Sequence, residues 1–295
     1  MAEQTNKFQL FLTDAFTKEA FRGNSAGVCL IPFNKNIEDA TKQKIANEMN
    51  LSETAFVKLI NEEDTFQTAK CFALQWFTPT CHVSLCGHAT LATAAVLFNE
   101  YKNHNSILQF ETLSGTLKAK QIEGNKIEID LPAYNSVSVV EKFDNLVKKV
   151  VGQLPVKEVV LSQSKKLLIR LTDDVTRSQL ESIKTCDQEL LAENVDVVGI
   201  IVTLKGNVKD CIDKEGNNYD FISRYFAPWM GISEDDVTGS AHSVLAPFWA
   251  NVLGKNTFYA RQCSFRGGEL HIKLQEDRVL ISGHAVVVVR GDISF

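Results

Sequence analysis

The pattern of apolar and polar positions predicts many short strands and few helices. In the first half of the chain, apolar runs predict strands at residues 8–15, 26–31, 53–60 and 69–76, and a meander of short strands over 106–131. A helical spacing of apolar residues predicts a helix over residues 37–50.

The second half of the chain has the same character. Helices are predicted at about 141–152 and 178–185, and strands at 157–161, 166–171, 196–204, 220–226 and within 257–294. The polar segment 205–219 is predicted to be an exposed loop, and the run HAVVVVR beginning at His284 favours a fully buried strand.

Residues 76–98, WFTPTCHVSLCGHATLATAAVLF, form the most informative stretch. A helix is predicted to begin at Gly87, and the chain carries no formal charge from Cys81 to Phe98, since the two histidines there are counted as neutral at pH 7. We therefore expect a helix that is buried on all sides. Its first backbone N–H groups and the positive end of its dipole make its start a potential anion site.

This stretch occurs twice, about 150 residues apart. Phe77-Thr78-Pro79 corresponds to Phe226-Ala227-Pro228, and Gly87-His88-Ala89 corresponds to Gly239-Ser240-Ala241. The strands that follow, GTL with KIEI and GEL with RVLI, match at nearly the same offset. The chain is therefore predicted to contain two copies of one domain, residues 1–131 and 132–295, with the last strands able to cross back to the first domain.

The repeat predicts an α+β protein of two pseudo-symmetric domains. Each domain would be a curled β-sheet, or barrel, around one central helix. The two helix N-termini would then face each other across a cleft, and such a cleft suits a small carboxylic acid.

Composition narrows the classes of partner. Apolar residues make up 44% of the chain and charged residues 23%, as in ordinary globular proteins. A net charge of −5 argues against nucleic acid or an anionic membrane as the main partner. The absence of a secretory signal pattern, the lack of a long apolar span and seven scattered cysteines favour reduced thiols and a cytoplasmic location.

Two residues of the first copy are candidates for proton chemistry. Glu53 follows a helix at a sharp turn into an apolar strand, where a carboxylate can point into a cleft; the alternative is a solvated turn glutamate. His88 lies at the predicted helix start, where a neutral imidazole can bind a ligand or move a proton; the alternative is a capping or core histidine.

In the second copy, Asp235 and Ser240 flank the predicted helix start, and both residue types are also common there simply as caps. Metal binding by Cys81, His82, Cys86 and His88 is not expected, since their spacing fits no common zinc pattern. Cys86 could also be a nucleophile, because a helix start lowers the pKa of a thiol. The glycines of CGH and TGS fit no nucleotide-binding motif, so a nucleotide cofactor is not expected.

Taken in order, DAF…FRGN, NLSETAF, FTP…LCGHATLA and RYFAPW…EDDVTGSAH resemble the phenazine-biosynthesis isomerases, the PhzF family. The resemblance runs nearly end to end and is strongest to the animal members, also known as MAWD-binding proteins. It implies the fold of diaminopimelate epimerase, two similar halves that each wrap a sheet around a central helix.

The resemblance also implies roles for individual residues. Glu53 matches the catalytic glutamate that takes a proton from one carbon of a cyclic substrate and returns it at another. His88, Asp235 and Ser240 match the other polar residues of the family's cleft. Gly87 and Gly239 match the glycines whose helix-start amides face the substrate carboxylate.

Related epimerases and racemases carry a cysteine at each helix start. Here Cys86 fits the first position, but the second position is Thr238, whose hydroxyl is too weak an acid to replace a thiol. We therefore predict no two-cysteine racemisation and interpret Cys86 as a remnant or a packing residue. The family usually has proline where this chain has Ser25.

Two functions follow from the resemblance. The first is a cofactor-independent isomerase that acts on a small, cyclic carboxylic acid. The second is a catalytically idle protein that serves as a regulatory partner, and the name of the animal group suggests a WD-repeat protein as that partner. The family also implies a homodimer.

Overall fold

The structure is a computed structural model that describes residues 6–139, 143–193 and 195–295. The chain divides into two units. The first runs to Asp130 and also takes in Ser282–Phe295, and the second is Leu131–Ile281. This division falls beside the boundary predicted from the repeat, and the final strand belongs to the first unit. In the described ranges, no helix combines the length and the apolar character needed to cross a bilayer.

Seventeen strands make up most of the regular secondary structure in the described residues. They are β1 (Lys7–Ala15), β2 (Asn24–Ile31), β3 (Glu53–Leu59), β4 (Cys71–Phe77), β5 (His82–Val83), β6 (Ile107–Thr112), β7 (Gly115–Ile122), β8 (Lys126–Pro132), β9 (Ser136–Ser138), β10 (Val156–Ser162), β11 (Lys166–Leu171), β12 (Gly199–Lys205), β13 (Phe221–Phe226), β14 (Thr257–Gln262), β15 (Gly268–Gln275), β16 (Arg278–Gly283) and β17 (Ala285–Ser294).

The α-helices are α1 (Asp39–Met49), α2 (Gly87–Ala95), α3 (Asp144–Val151), α4 (Arg177–Glu181), α5 (Asp187–Leu191) and α6 (Gly239–Leu253). A π-helical turn, Val96–Glu100, continues α2, and 3₁₀ turns lie at Glu123–Asn125 and Pro228–Met230. Residues 141 and 142, at the start of the helical region predicted around 141–152, lie outside the described residues.

In the first unit, a mostly antiparallel sheet surrounds α2. Its pairings run β17–β1 and β1–β2 antiparallel, β2–β3 parallel, β3–β4 antiparallel, β4–β6 parallel, then β6–β7 and β7–β8 antiparallel. The helix α2 packs against β1, β2, β3, β7 and β17, which come from both ends of this order. All nine α2 residues are buried, so the prediction of a helix buried on all sides is confirmed.

The second unit has α6 as its main helix. The pairings run β10–β11 antiparallel, β11–β12 parallel, β12–β13 antiparallel, β13–β14 parallel and β14–β15 antiparallel. Pro247 lies inside α6 and cannot donate a hydrogen bond to Ser243 O. The backbone N–H of Tyr134 donates to that carbonyl instead, at 3.0 Å. The Trp249 indole donates to Thr203 Oγ1 at 3.1 Å, anchoring the far part of the helix to β12.

Parallel and antiparallel strand pairings follow one another in the same order in the two units. From β1 in the first unit and from β10 in the second, the pairings read antiparallel, parallel, antiparallel, parallel, antiparallel. Each unit also places its buried, glycine-started helix between its fourth and fifth main strands. The internal repeat read from the sequence is therefore confirmed in the topology.

Three local predictions were wrong. The run HAVVVVR is not fully buried: β17 is half-exposed and Val289 is 51% exposed. The register of β17 against β1 shifts by one residue at Val288, and such a bulge twists a strand. The helix predicted at 178–185 ends at Glu181 and a second helix, α5, follows. The segment 205–219 is not wholly exposed, because Cys211 and Tyr219 are buried.

Candidate active site

The first cluster of candidate residues lies at the start of α2. Cys86 is the extended N-cap residue and Gly87 the first helical residue. Among the described residues, the side chain of this N-cap makes no capping hydrogen bond, and the same holds for Thr238 at the start of α6. At both helix starts, the first-turn backbone N–H groups are therefore not capped by the N-cap side chain. They point away from the helix together with the positive end of its dipole.

Glu53 reaches this helix start from β3. The helix α1 ends at Asn50, whose left-handed conformation (φ 48°) turns the chain, and β3 begins three residues later. The Glu53 side chain is 12% exposed and that of His88 is 3% exposed. Glu53 Oε2 lies 3.2 Å from His88 Nε2. A carboxylate and an imidazole, two side-chain types that serve as general acids and bases, are therefore in contact where little solvent reaches them.

The other nitrogen of the His88 ring has its own neighbours. Asn24 Nδ2 lies 3.2 Å from His88 Nδ1, and Cys86 Sγ lies 3.5 Å from the same atom. The Ser52 hydroxyl donates to Asn24 Oδ1 at 3.3 Å. The cluster is thus a chain of polar groups that runs from Ser52 through Asn24 and His88 to Glu53.

The same cluster has metal-ligand chemistry. One ligating atom from each of Glu53, Cys86 and His88 falls within 4.8 Å of the others. Glu53 contacts one ring nitrogen and Cys86 the other, whereas a metal ion takes a single imidazole nitrogen. These contacts are those of a chain of polar side chains rather than of one shared ion, and the expected absence of a metal stays a prediction.

The second cluster lies at the start of α6, in the second unit. Asp235 and Thr238 are both buried, and Thr238 Oγ1 donates to Asp235 Oδ2 at 2.5 Å. Gln262, which is fully buried at the end of β14, holds the turn between them. Its Nε2 donates to Asp235 O at 2.6 Å and to Thr238 Oγ1 at 3.2 Å, and its Oε1 accepts from the Thr238 N–H at 2.8 Å.

Two further groups near this turn have shifted pKa values. Burial, and then the carboxylate of Asp235, raises the pKa of Asp236 to about 6. The Arg266 guanidinium, 3.6 Å from Asp236, opposes this rise. Burial lowers the pKa of the His242 imidazole to about 4, and His242 Nδ1 lies 2.8 Å from Thr238 O. His242 is therefore a neutral ring at pH 7 whose Nδ1–H donates to the carbonyl of the helix N-cap.

The structure thus places the predicted residues in two groups. Glu53, Gly87 and His88 come together in the first unit. In the second unit, Gly239 is the first residue of α6, Ser240 follows it half-buried, and Asp235 lies in the preceding turn. Their catalytic and binding roles stay predictions.

Sequence reasoning assigned no role to Asn24 or Gln262, and it interpreted Cys86 as a remnant or packing residue. Asn24 belongs to the FRGN motif, so the sequence did mark this position. Its hydrogen-bond partner, His88, is 64 residues away, and the motif does not indicate it. Gln262 is the last residue of a strand, and no local pattern distinguishes it from an ordinary polar strand residue. Cys86 is buried, yet its sulfur faces the His88 ring rather than apolar side chains alone.

Comparison with known proteins connects this geometry to one family. The family described as "Phenazine biosynthesis-like protein" (PhzC-PhzF) matches residues 13–291. A human phenazine biosynthesis-like domain-containing protein is 48% identical over 293 residues, covering 98% of this chain and 99% of the relative. An uncharacterized isomerase of Halalkalibacterium halodurans is 38% identical over 287 residues, covering 96% of this chain and 97% of the relative.

Solved structures share the fold. The crystal structure of a PhzF-family protein from Enterococcus faecalis superposes with a TM-score of 0.80 at 33% identity, covering 98% of this chain and 99% of the other. A predicted epimerase from Pseudomonas aeruginosa, 17% identical with a TM-score of 0.69, covers 97% of this chain and 99% of the other and shows the fold alone. The predicted α+β, epimerase-like fold is confirmed.

Proposed function

Since the chain belongs to the phenazine biosynthesis-like (PhzC-PhzF) family, we propose that it is an isomerase that moves a proton on a small carboxylic acid. The observation that carries this proposal is the contact between Glu53 Oε2 and His88 Nε2, at 3.2 Å beside the start of a buried helix. The name of the Halalkalibacterium halodurans relative supports the reaction class, and it specifies no substrate.

Glu53 is the proposed proton carrier. Its carboxylate takes a proton from one carbon of the substrate, so that a C–H bond breaks and its electron pair passes into the conjugated system of the acid. The same proton, now on the Glu53 carboxyl, is returned to another carbon, where a new C–H bond forms. The double bond moves, nothing is oxidised or reduced, and the carboxylate is regenerated without a cofactor.

His88 and the α2 start support this step. The imidazole borders the carboxylate that gains and loses the proton, so it can stabilise either state through a hydrogen bond. Negative charge that develops on the substrate carboxylate is stabilised by the amides and dipole at Gly87. A cyclic substrate held between two helix starts, with Gly239, Ser240 and Asp235 as further contacts, remains a prediction from the repeat and the resemblance.

The test is solvent deuterium incorporation. Cyclic and acyclic unsaturated carboxylic acids and amino acids are incubated with the protein in D₂O and examined by NMR. The proposal expects carbon-bound deuterium in at least one acid. Glu53→Gln should abolish the exchange, and Glu111→Gln, an exposed glutamate of the same unit, should keep it.

No exchange with any acid would contradict the isomerase. Exchange that survives Glu53→Gln would contradict the role of Glu53. If the protein catalyses no exchange, and Glu53→Gln binds a WD-repeat protein as well as the wild type does, the results would favour the alternative of a catalytically inactive regulatory partner. That partner, the homodimer and the cytoplasmic location stay predictions.

A further inference from the structure

Asn24 is a fully buried amide at the first position of β2. Gly23 precedes it in a left-handed conformation (φ 64°), and a side chain there would collide with the carbonyl of Ala15. Asn24 is also paired in register with Ala15 across the β1–β2 ladder. The backbone of Asn24 is therefore held in place from both sides, which fixes the direction of its side chain.

That side chain faces the His88 ring. Its Nδ2 lies 3.2 Å from Nδ1 of the imidazole, and its Oδ1 accepts the hydroxyl proton of Ser52 at 3.3 Å. An amide Nδ2 can only donate, so Nδ1 of His88 must be the acceptor in this pair. The thiol of Cys86, 3.5 Å from Nδ1, is placed to donate to the same atom.

The contact on the other ring nitrogen fits the same protonation. An ionised carboxylate can only accept, so the 3.2 Å approach of Nε2 to Glu53 Oε2, which is an ion-pair contact rather than an aligned hydrogen bond, is attractive when Nε2 carries the hydrogen. Asn24 thus requires, and the charge of Glu53 favours, one neutral tautomer of His88, with the proton on Nε2. The opposite tautomer would place two donors face to face at Nδ1 and two acceptors face to face at Nε2.

We propose that Asn24 is a positioning residue that holds His88 in the Nε2–H tautomer, so that the basic form of Glu53 faces an N–H rather than a lone pair before it takes a proton. Its catalytic consequence rests on the proposed function, whereas the tautomer does not. In the absence of Asn24, the Nδ1–H tautomer turns a lone pair towards the Glu53 carboxylate and repels the form that must act as the base.

The substitution Asn24→Asp tests this with almost no change of shape. A carboxylate at this position accepts where the amide donates, so it requires a proton on Nδ1. We expect ¹⁵N-edited NMR of the wild type to show the proton of His88 on Nε2, assigned with the help of His88→Gln. In Asn24→Asp we expect a proton on Nδ1, and a fall in deuterium exchange of about 10- to 100-fold, as for other groups that orient a functional histidine.

Asn103→Asp is the matched control. Asn103 is also a buried asparagine of the first unit, and its Nδ2 donates to the carbonyls of Phe66 and Ala69 rather than to a histidine. This variant should lose stability but keep the His88 tautomer. A wild-type proton on Nδ1, or an unchanged tautomer in Asn24→Asp, would overturn the inference.

The NMR spectrum of the wild type shows which ring nitrogen of His88 carries the proton, even if Asn24→Asp fails to fold. Failure of the proposed function would show in a different measurement. Either no acid would exchange deuterium, or Glu53→Gln would exchange it at the wild-type rate. An Nε2–H tautomer in the wild type that changes in Asn24→Asp, together with no exchange, would leave Asn24 as the group that sets the tautomer while refuting the isomerase.

Discussion

His88 Nε2 lies 3.2 Å from Glu53 Oε2, and the two side chains are 3% and 12% exposed. The residues are brought together by the parallel pairing of β2 with β3, which starts with Ala26 opposite Glu53, and by the packing of α2 on both strands. A helix start and a strand start thus meet at one point of the first unit. The first prediction follows from this contact.

Replacing His88 with alanine should lower the rate of deuterium exchange by about 10²- to 10⁴-fold, the usual contribution of a positioned acid–base group. The reason is that the basic form of Glu53 loses the imidazole whose Nε2 lies 3.2 Å from its carboxylate. The rate is measured by NMR in D₂O on the acid found to exchange. His104→Ala, which removes an exposed histidine of the same unit, should exchange at the wild-type rate.

Stability should depend on His242 at acidic pH. Its pKa is about 4 in the folded protein and near 6.5 in the unfolded chain, so the unfolded state binds the proton more readily. The folded state therefore loses stability as the pH falls from about 6.5 to 4, by roughly 3 kcal/mol for this shift. Urea unfolding of the wild type and of His242→Gln across this range should show the extra slope only in the wild type.

Asp236 should affect stability over nearly the same pH range but with the opposite sign. Burial and Asp235 raise its pKa to about 6, so the folded protein favours the protonated acid and loses stability as the pH rises from about 4 to 6. Asp236→Asn removes that cost. We expect the variant to be roughly 1–3 kcal/mol more stable than the wild type at pH 8 and equal to it at pH 4, by urea unfolding. A variant that is less stable at pH 8 would show that the pairing with Arg266 outweighs burial.

Gln262 offers a test of the turn before α6. In Gln262→Glu, an acceptor replaces the Nε2 group that donates to Asp235 O and Thr238 Oγ1. Two buried acceptors would then face a carboxylate. We expect a loss of at least about 2 kcal/mol in the free energy of unfolding, and proteolysis that begins near residue 238. Gln121→Glu, in a half-buried part of the first unit, should cost much less.

The sequence was sufficient for most of the fold because the repeat tied distant segments together. The glycine-started helices at Gly87 and Gly239 and most strands lie where their patterns predict. The hydrophobic pattern gave a wrong prediction where burial depends on neighbouring strands. The four successive valines of β17 predicted a fully buried strand, yet Val289 is half exposed beside a bulge. It also missed α5, whose five residues are too few to show a period.

The candidate site was only partly predictable. Glu53 and His88 stand in short motifs that carry a chemical meaning, so the sequence could single them out. Asn24 and Gln262 act through side-chain contacts with residues 64 and 24 positions away, and no periodicity encodes such contacts. Cys86 was recognised as a helix-start residue, but its contact with Nδ1 of His88 depends on a ring orientation that only the fold sets.

The central claim is that Glu53 carries the proton. The most direct measurement compares deuterium incorporation into an exchanging acid by the wild type and by Glu53→Gln, with binding of that acid measured on both proteins. We expect similar binding and a rate at least about 10³-fold lower in Glu53→Gln, since the amide cannot accept a proton. Comparable rates in the two proteins would contradict it.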